Sequence, residues 1–162
     1  MNSSTEKFLQ MIKHPLKFRM FLFWKLPAAF FSGVRIKEID EGRSVVSVPY
    51  KWLTQNPFRS TYFASLAMAA EMSTGVLGMM HVNKRTPPIS MLITNMEATY
   101  SKKATGKIFF VCEGGKQIYE AIENSIATGE SKSITVQSTG TNKNGEVVAV
   151  FLFTWSFKVK KM

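Results

Sequence analysis

Residues 56–78 read NPFRSTYFASLAMAAEMSTGVLG, and this stretch decides the fold of the chain. It predicts a long helix with Ser60 or Thr61 as the N-cap, because hydroxyl side chains favour that position. The run 62–80 has the length of a membrane span, but it carries Glu71 at its centre. A helix that is apolar on all faces can be surrounded by its own protein as readily as by lipid. We therefore predict a buried central helix.

Glu71 is the one charged residue in that apolar run. An ionised carboxylate among apolar side chains is costly unless it is paired or hydrogen-bonded, so we expect its pKa to be perturbed. A carboxylate in this setting marks a functional site, or else it meets a Lys or Arg at a helix rim or subunit interface. The residues alone leave both interpretations open, since structural ion pairs also perturb pKa values.

The composition fits one compact domain, with 162 residues of which 45% are hydrophobic. A net charge of +10 favours an anionic partner, either a phosphorylated cofactor, a nucleic acid or an acidic membrane surface. The cations are spread along the chain without an arginine-rich tract, a zinc-type spacing or a ribonucleoprotein motif, so we expect no nucleic-acid partner and no metal. The single Cys112 fits a reducing compartment, and we expect a cytoplasmic protein.

The N-terminal segment, residues 1–33, is predicted to be helical. Residues 5–14 form an amphipathic pattern that Pro15 ends, and residues 16–24 place apolar side chains at helical spacing before Pro27. Two roles remain open for this segment: a lid that packs over the domain, or a basic amphipathic anchor on a membrane surface. We prefer the lid and expect no membrane association.

The rest of the chain, residues 34–162, alternates strands with helices. Strands are predicted at 34–40, 43–49, 90–100, 107–113, 131–141 and 146–158, and a short helix at 116–127 is stopped by Gly129. In the last strand one face should carry Val147, Ala149, Phe151, Phe153, Trp155 and Phe157. Hairpin connections indicate an antiparallel sheet and the α+β class. A lone apolar helix must then be buried by the sheet curling round it, which is the hotdog architecture, with about six strands.

Several segments, in this order and spacing, resemble one family. They are the entry at 27–34, the loop at 56–57, the helix up to Glu71, the strand and turn at 97–106, and the closing hairpin at 142–155. Together they are similar to the hotdog-fold thioesterase superfamily, and within it to a bacterial branch of unassigned function related to the phenylacetate-pathway type acyl-CoA thioesterases.

The resemblance implies roles for specific residues. In active relatives a loop Asn, a His-Gly-Gly turn at the helix start and an acidic residue two turns later form the site; Asn56 and Glu71 stand at the matching positions. Tyr62-Phe63-Ala64 replaces the His-Gly-Gly turn, so the resemblance assigns the oxyanion site to the amides of Phe63 or Ala64. Read by itself, Asn56-Pro57 is also a simple turn signal.

The resemblance also implies a substrate and an assembly. It predicts an acyl-CoA or related thioester as substrate, no cofactor, and a homodimer or tetramer with the site between subunits. Thr74 is a candidate for substrate contact. Arg59, Lys102 and Lys103 are candidates for the phosphates of coenzyme A, with solvated surface charge as the alternative for each.

Three functions follow as hypotheses. The first is an acyl-CoA thioesterase in which Glu71 activates water. The second is a non-catalytic hotdog module that binds an acyl-CoA or a fatty acid and has lost its chemistry with the His-Gly-Gly turn. The third is a lipid-binding protein of the membrane surface that uses the N-terminal helices.

Overall fold

The fold is built round one twenty-residue helix, α4, which spans Phe63–Val82. The computed structural model describes residues 3–160. Although α4 is long and apolar enough to cross a membrane by length and composition, most of it is buried inside the protein itself. Ala69, Ala70 and Leu77 are fully enclosed, so the prediction of a buried central helix is confirmed.

Six strands form a single antiparallel sheet. They are β1 (Arg35–Ile39), β2 (Ser44–Val48), β3 (Ile89–Tyr100), β4 (Ile108–Cys112), β5 (Lys132–Thr141) and β6 (Val147–Val159). Their spatial order is β1-β2-β4-β5-β6-β3, and every neighbouring pair is antiparallel. The predicted fold class, α+β with a hotdog sheet of about six strands, is confirmed.

The core fills the space between the sheet and α4. Phe110, Phe151, Phe153 and Phe157 are fully buried from the sheet side. Gly140 of β5 lies opposite Phe110 of the neighbouring strand β4, and the ring of Phe110 packs where a side chain would be. A Cβ on Gly140 would lie 2.5 Å from that ring. Any side chain there would therefore displace a core aromatic ring.

The predicted face of β6 is wrong at its first position. Val147 is 41% exposed, whereas Val148 is buried at 1%. The reason is a register shift, because Gly140 pairs with Ala149 while the next residue, Thr141, pairs with Val147. The extra residue in β6 forms a bulge, and a bulge exchanges the inward and outward positions on either side of it.

In the described part of the chain, three helices precede the sheet where two were predicted. They are α1 (Ser3–Lys13), α2 (Pro15–Lys25) and α3 (Pro27–Ser32). Pro27 was predicted only to follow the end of a helix, but proline is also favoured at the first helical position, where its fixed φ fits and its missing N–H costs nothing. Gly33, with φ of 77°, then ends α3.

The fifth helix, α5, spans Gly115–Thr128 and packs against β5, β6 and α4. Ile118 and Ile122 are fully buried beneath it. Gly129 ends α5 in a left-handed conformation with φ of 70°, as predicted.

Candidate active site

Glu71 lies near the middle of α4 and is partly buried. Burial raises the pKa of its carboxyl group to about 7, because an apolar environment disfavours the charged form. Within residues 3–160, every ion pair involves other carboxylates, and no Lys or Arg pairs with Glu71. The described residues of one chain therefore give no support to the interpretation of Glu71 as a member of an ion pair.

A cavity of about 160 Å³ adjoins Glu71. One wall is α4, through Met72, Gly75, Val76 and Met79. The opposite wall comes from the N-terminal helices and the link after α2, through Phe8, Ile12, Phe18, Phe21, Leu22 and Leu26. Apart from the carboxylate, all the lining side chains are apolar. This contact between the N-terminal helices and Glu71 was not predicted from the sequence, because residues more than 40 positions apart meet here only through the fold.

Gly75 makes room for the carboxylate. A Cβ at this position would lie 2.9 Å from Glu71 Oε1 and 3.3 Å from Trp155 Cζ2. The ring of Trp155 is fixed in turn, because its Nε1 donates a hydrogen bond of 2.9 Å to Thr74 Oγ1. Thr74 Oγ1 itself donates to the carbonyl oxygen of Glu71 at 2.9 Å.

Thr74 is fully buried, and its hydroxyl is used in these two contacts. The residue was predicted to contact substrate. In this structure it connects Trp155 to the backbone of Glu71, so its contact with the site is made through those two residues.

A second cavity, of about 480 Å³, lies at the start of α4. Its lining includes Asn56, Phe63, Lys102 and Lys103. Lys102 Nζ forms an ion pair with Glu146, whereas Lys103 is exposed and makes no ion pair within the described residues. Arg59 is exposed but does not line this cavity.

The start of α4 differs from the predicted cap. Tyr62 is the N-cap, and among residues 3–160 no side chain makes a capping hydrogen bond to the helix. Ser60 Oγ donates to Asn56 Oδ1 at 3.2 Å instead, and Thr61 Oγ1 donates to the carbonyl oxygen of Ala104 at 3.0 Å. The prediction of Ser60 or Thr61 as N-cap is therefore wrong, because tertiary and loop contacts take both hydroxyls.

The uncapped start leaves donors available. Tyr62 accepts hydrogen bonds from the amides of Ser65 and Leu66, which are the first intrahelical bonds of α4. The amides of Phe63 and Ala64 precede them and have no intrahelical acceptor, as is general for the first turn. The positive end of the helix dipole lies at the same place. These two amides can therefore bind an anionic oxygen.

Asn56 organises the loop that leads to this helix start. Its Oδ1 accepts hydrogen bonds from the amide of Phe58 at 3.0 Å, from the amide of Ser60 at 3.2 Å and from the Ser60 hydroxyl. Within residues 3–160 its Nδ2 donates to no protein acceptor. Asn56 thus fixes a turn with one end of its amide and keeps the other end available.

The two groups of candidate residues lie apart within one chain. Phe63 and Glu71 are eight residues apart on one helix, which corresponds to about 12 Å along its axis. Accordingly, Asn56, Phe63 and Lys103 line one cavity, and Glu71 lines the other. A general base must lie within hydrogen-bond reach of the reacting group, so within one chain the carboxylate and the helix amides are too far apart to act on one reacting group.

The fold places the chain in the hotdog class, and the comparisons with known proteins agree. A thioesterase from Haemophilus influenzae, 11% identical, has a TM-score of 0.62 over 90% of this chain and 91% of that chain. The chain belongs to the family described as a domain of unknown function (DUF4442), which it matches over residues 17–157.

Two further solved structures share the fold. A protein from Pseudomonas aeruginosa described as a probable thioesterase is 19% identical, covers 90% of this chain and 97% of its own, and has a TM-score of 0.75. The E. coli PaaI protein, from the phenylacetic acid degradation operon, is 13% identical, covers 99% of both chains and has a TM-score of 0.66. No curated protein sequence matches this chain. At these identities the structural likeness establishes the fold, and the predicted relation to hotdog thioesterases is confirmed at that level.

Proposed function

We propose that this protein is an acyl-CoA thioesterase in which Glu71 activates water and the site lies between two copies of the chain. The observation that carries the proposal is the carboxylate of Glu71, which has no Lys or Arg partner within residues 3–160 and lies partly buried beside an apolar cavity, with its pKa raised to about 7. A base with a pKa near the working pH combines a useful ionised fraction with sufficient basicity.

The proposed reaction begins with ionised Glu71. Its carboxylate takes a proton from water while the water oxygen bonds to the thioester carbonyl carbon. The carbonyl oxygen becomes negative and accepts hydrogen bonds from the amides of Phe63 and Ala64 of the other copy. When the tetrahedral intermediate collapses, the C–S bond breaks, and the leaving thiolate takes the proton from Glu71. The products are a carboxylic acid and coenzyme A, and the carboxylate of Glu71 is restored.

The remaining residues have binding roles in this proposal. Asn56 Nδ2 donates to the carbonyl oxygen or to the attacking water. Lys103, exposed at the edge of the larger cavity, binds a phosphate of coenzyme A, and Lys102 and Arg59 add positive charge nearby. Thr74 acts indirectly by holding Trp155 beside Gly75. The apolar cavity beside Glu71 receives the acyl end of the substrate. In this proposal the hotdog unit, 34–162, supplies the chemistry, and α1 and α2 of the N-terminal segment, 1–33, close that cavity.

One observation favours the alternative, a non-catalytic module that binds acyl-CoA or a fatty acid. The rings of Tyr62 and Phe63 pack edge to face with centroids 4.9 Å apart, at the position of the His-Gly-Gly turn. Phe63 is 53% exposed and lines the larger cavity. A bulky side chain there hinders the approach of a thioester to the helix amides.

Thiol release distinguishes the two functions. Purified protein would be assayed with short, medium, long-chain and aromatic acyl-CoAs, and a thermal shift would be recorded for each ligand. Glu71→Gln keeps the size and hydrogen-bonding capacity of the side chain but removes the base, so we expect turnover to fall about 10²- to 10⁴-fold with ligand affinity retained. Glu120→Gln, on the exposed face of α5, is the matched control and should be fully active. Equal turnover by wild type and Glu71→Gln would remove Glu71 from the mechanism. Thermal stabilisation by an acyl-CoA without thiol release would establish the binding module instead.

A further inference from the structure

Helix α2 is apolar on two opposite faces. Phe18 and Leu22 lie on the inner face and are 8% and 1% exposed. Leu16, Met20 and Trp24, spaced four residues apart on another face, are 72%, 54% and 73% exposed. Residues four apart lie one above the other on a helix, so these three side chains form a stripe directed to the outside.

The exposed stripe continues onto α3 through an aromatic cluster. The ring of Phe23 lies 5.5 Å from that of Trp24 and 6.2 Å from that of Phe31, measured between centroids. Phe31 is 53% exposed. We call Leu16, Met20, Phe23, Trp24 and Phe31 the α2–α3 surface. Contiguous exposed apolar side chains of this kind mark a surface that contacts a protein or a membrane.

The charged residues of the segment that carries the α2–α3 surface have one sign, and the acidic residues closest in sequence after it, Glu38 and Asp40, lie beside the inner face of α2. Residues 7–37 contain five lysines, two arginines and no acidic residue. Lys13, Lys17 and Lys25 are exposed and form no ion pair within residues 3–160. Lys17 and Lys25 each follow a residue of the apolar stripe on α2, and Lys13 ends α1 just before it.

The charge distribution selects the partner. In a symmetric dimer the same patch faces itself, so the lysines of one copy would approach the lysine-bearing patch of the other across an apolar contact. An anionic lipid surface accommodates both features, because its headgroups attract the lysines and its acyl boundary receives Leu16, Met20 and Trp24. Tryptophan in particular favours the level of the headgroups.

We infer that the α2–α3 surface docks this protein on an anionic lipid surface, with α2 lying in the plane of the headgroups. The inner face of α2 remains on the cavity beside Glu71, so docking leaves the lid arrangement intact. The inference does not depend on thioesterase activity. It departs from the sequence-based expectation of no membrane association, because the sequence did not show that α2 buries one apolar face and exposes another.

Vesicle flotation tests the inference on the full chain. Wild-type protein at about 0.1 M salt is expected to float with vesicles of phosphatidylcholine containing phosphatidylglycerol, and to stay in solution with phosphatidylcholine alone. Met20→Ser with Trp24→Ser should lower the partition coefficient at least about ten-fold. Replacing Lys13, Lys17 and Lys25 by Gln should lower it about five-fold for each lysine. Val147→Ser, which changes an exposed apolar residue of β6, is the matched control and should bind as wild type does.

A second measurement reports on contact directly. In a Trp52→Phe chain, quenching by brominated lipids is expected at Trp24, while Trp155 is shielded by its burial in the core. Absence of wild-type flotation with anionic vesicles at low salt overturns the inference, as does equal loss of binding in Val147→Ser. If Met20→Ser with Trp24→Ser instead lowers the molar mass measured by light scattering, the surface belongs to a contact between copies, and the membrane assignment is wrong.

Discussion

Gly75 lies one helical turn after Glu71, and a Cβ on Gly75 would come within 2.9 Å of Glu71 Oε1. The absence of a side chain at Gly75 therefore lets the carboxylate lie along its own helix, between α4 and the N-terminal helices. A glycine within a helix costs about 1 kcal/mol relative to alanine. Its position here places the acid in the site at the expense of helix stability.

Gly75→Ala should separate stability from activity. The added methyl group displaces the carboxylate and presses on Trp155, so we expect kcat/KM to fall about ten-fold or more. The melting temperature should change by only a few degrees, because higher helix propensity offsets the crowding. Gly106→Ala is the control, because beyond its chain neighbours the added Cβ would lie within 4 Å of no other atom in the described part of the chain. On a Glu71→Gln background Gly75→Ala should cost no further activity; an undiminished additional loss would show that Gly75 acts through another group.

The raised pKa of Glu71 predicts how activity depends on pH. Because the ionised form is the base, kcat/KM should rise with pH through a value near 7 and then level off. A profile of kcat/KM from pH 5 to 9 measures this, and Glu120→Gln, the active control, should follow the wild-type profile. A profile that is flat across pH 6 to 8 contradicts the assignment of Glu71 as base.

The same pKa predicts a loss of stability at high pH. The folded value of about 7 lies above the ordinary value of 4.5, so the folded state holds a proton that the unfolded state releases first. Stability is therefore greatest below pH 4.5 as far as this group is concerned, and falls by about 3 kcal/mol as the pH rises from 4.5 through 7. Glu71→Gln has no such loss. The difference in unfolding free energy between the two proteins, measured with urea at pH 5 and pH 8, should grow with pH; a constant difference would contradict the burial of this carboxyl group.

The bond from Trp155 Nε1 to Thr74 Oγ1 joins β6 to α4 inside the core. Thr74→Val leaves the indole N–H buried without an acceptor, and we expect a loss of about 1 to 3 kcal/mol in unfolding free energy. Trp155→Phe would remove the donor as well, so the double variant should be more stable than the sum of the two single changes implies. Additive losses in denaturant titrations would mean that the two residues do not interact.

The hydrophobic pattern was enough to predict the class of fold, because a lone apolar helix among hairpins has few ways to be buried. The predictions that were wrong, of the N-cap of α4 and of the first inward residue of β6, concern features that depend on tertiary contacts. Thr61 does not cap α4, because its hydroxyl bonds to Ala104, 43 residues away. Val148, rather than Val147, enters the core because of a bulge that alternation alone does not reveal. For the site, Glu71 stood out as a charge in an apolar run, whereas its cavity wall from α1 and α2 is set by packing across the fold.

Asn56→Asp separates the two possible roles of Asn56. Aspartate keeps an oxygen that accepts from the amides of Phe58 and Ser60, so the turn and the melting temperature should be preserved. The change removes the Nδ2 donor and adds negative charge next to the proposed oxyanion, so turnover should fall about 10²-fold or more. Full activity in Asn56→Asp would leave Asn56 with a structural role alone.

Mixing two inactive variants tests whether the site lies between two copies. Phe63 and Glu71 are about 12 Å apart along α4, so the proposed mechanism assigns the helix amides and the base of one chain to different sites. A dimer formed from one Glu71→Gln chain and one Asn56→Asp chain has one site with both changes and one site with neither.

When the two variants are unfolded and refolded together in equal amounts, half of the dimers are mixed, and we expect about a quarter of wild-type activity to return. If each chain carries a complete site, the mixture stays as inactive as its components. Light scattering on the same samples establishes that dimers have formed, so that a lack of recovery reflects the composition of the site and not a failure of the chains to assemble.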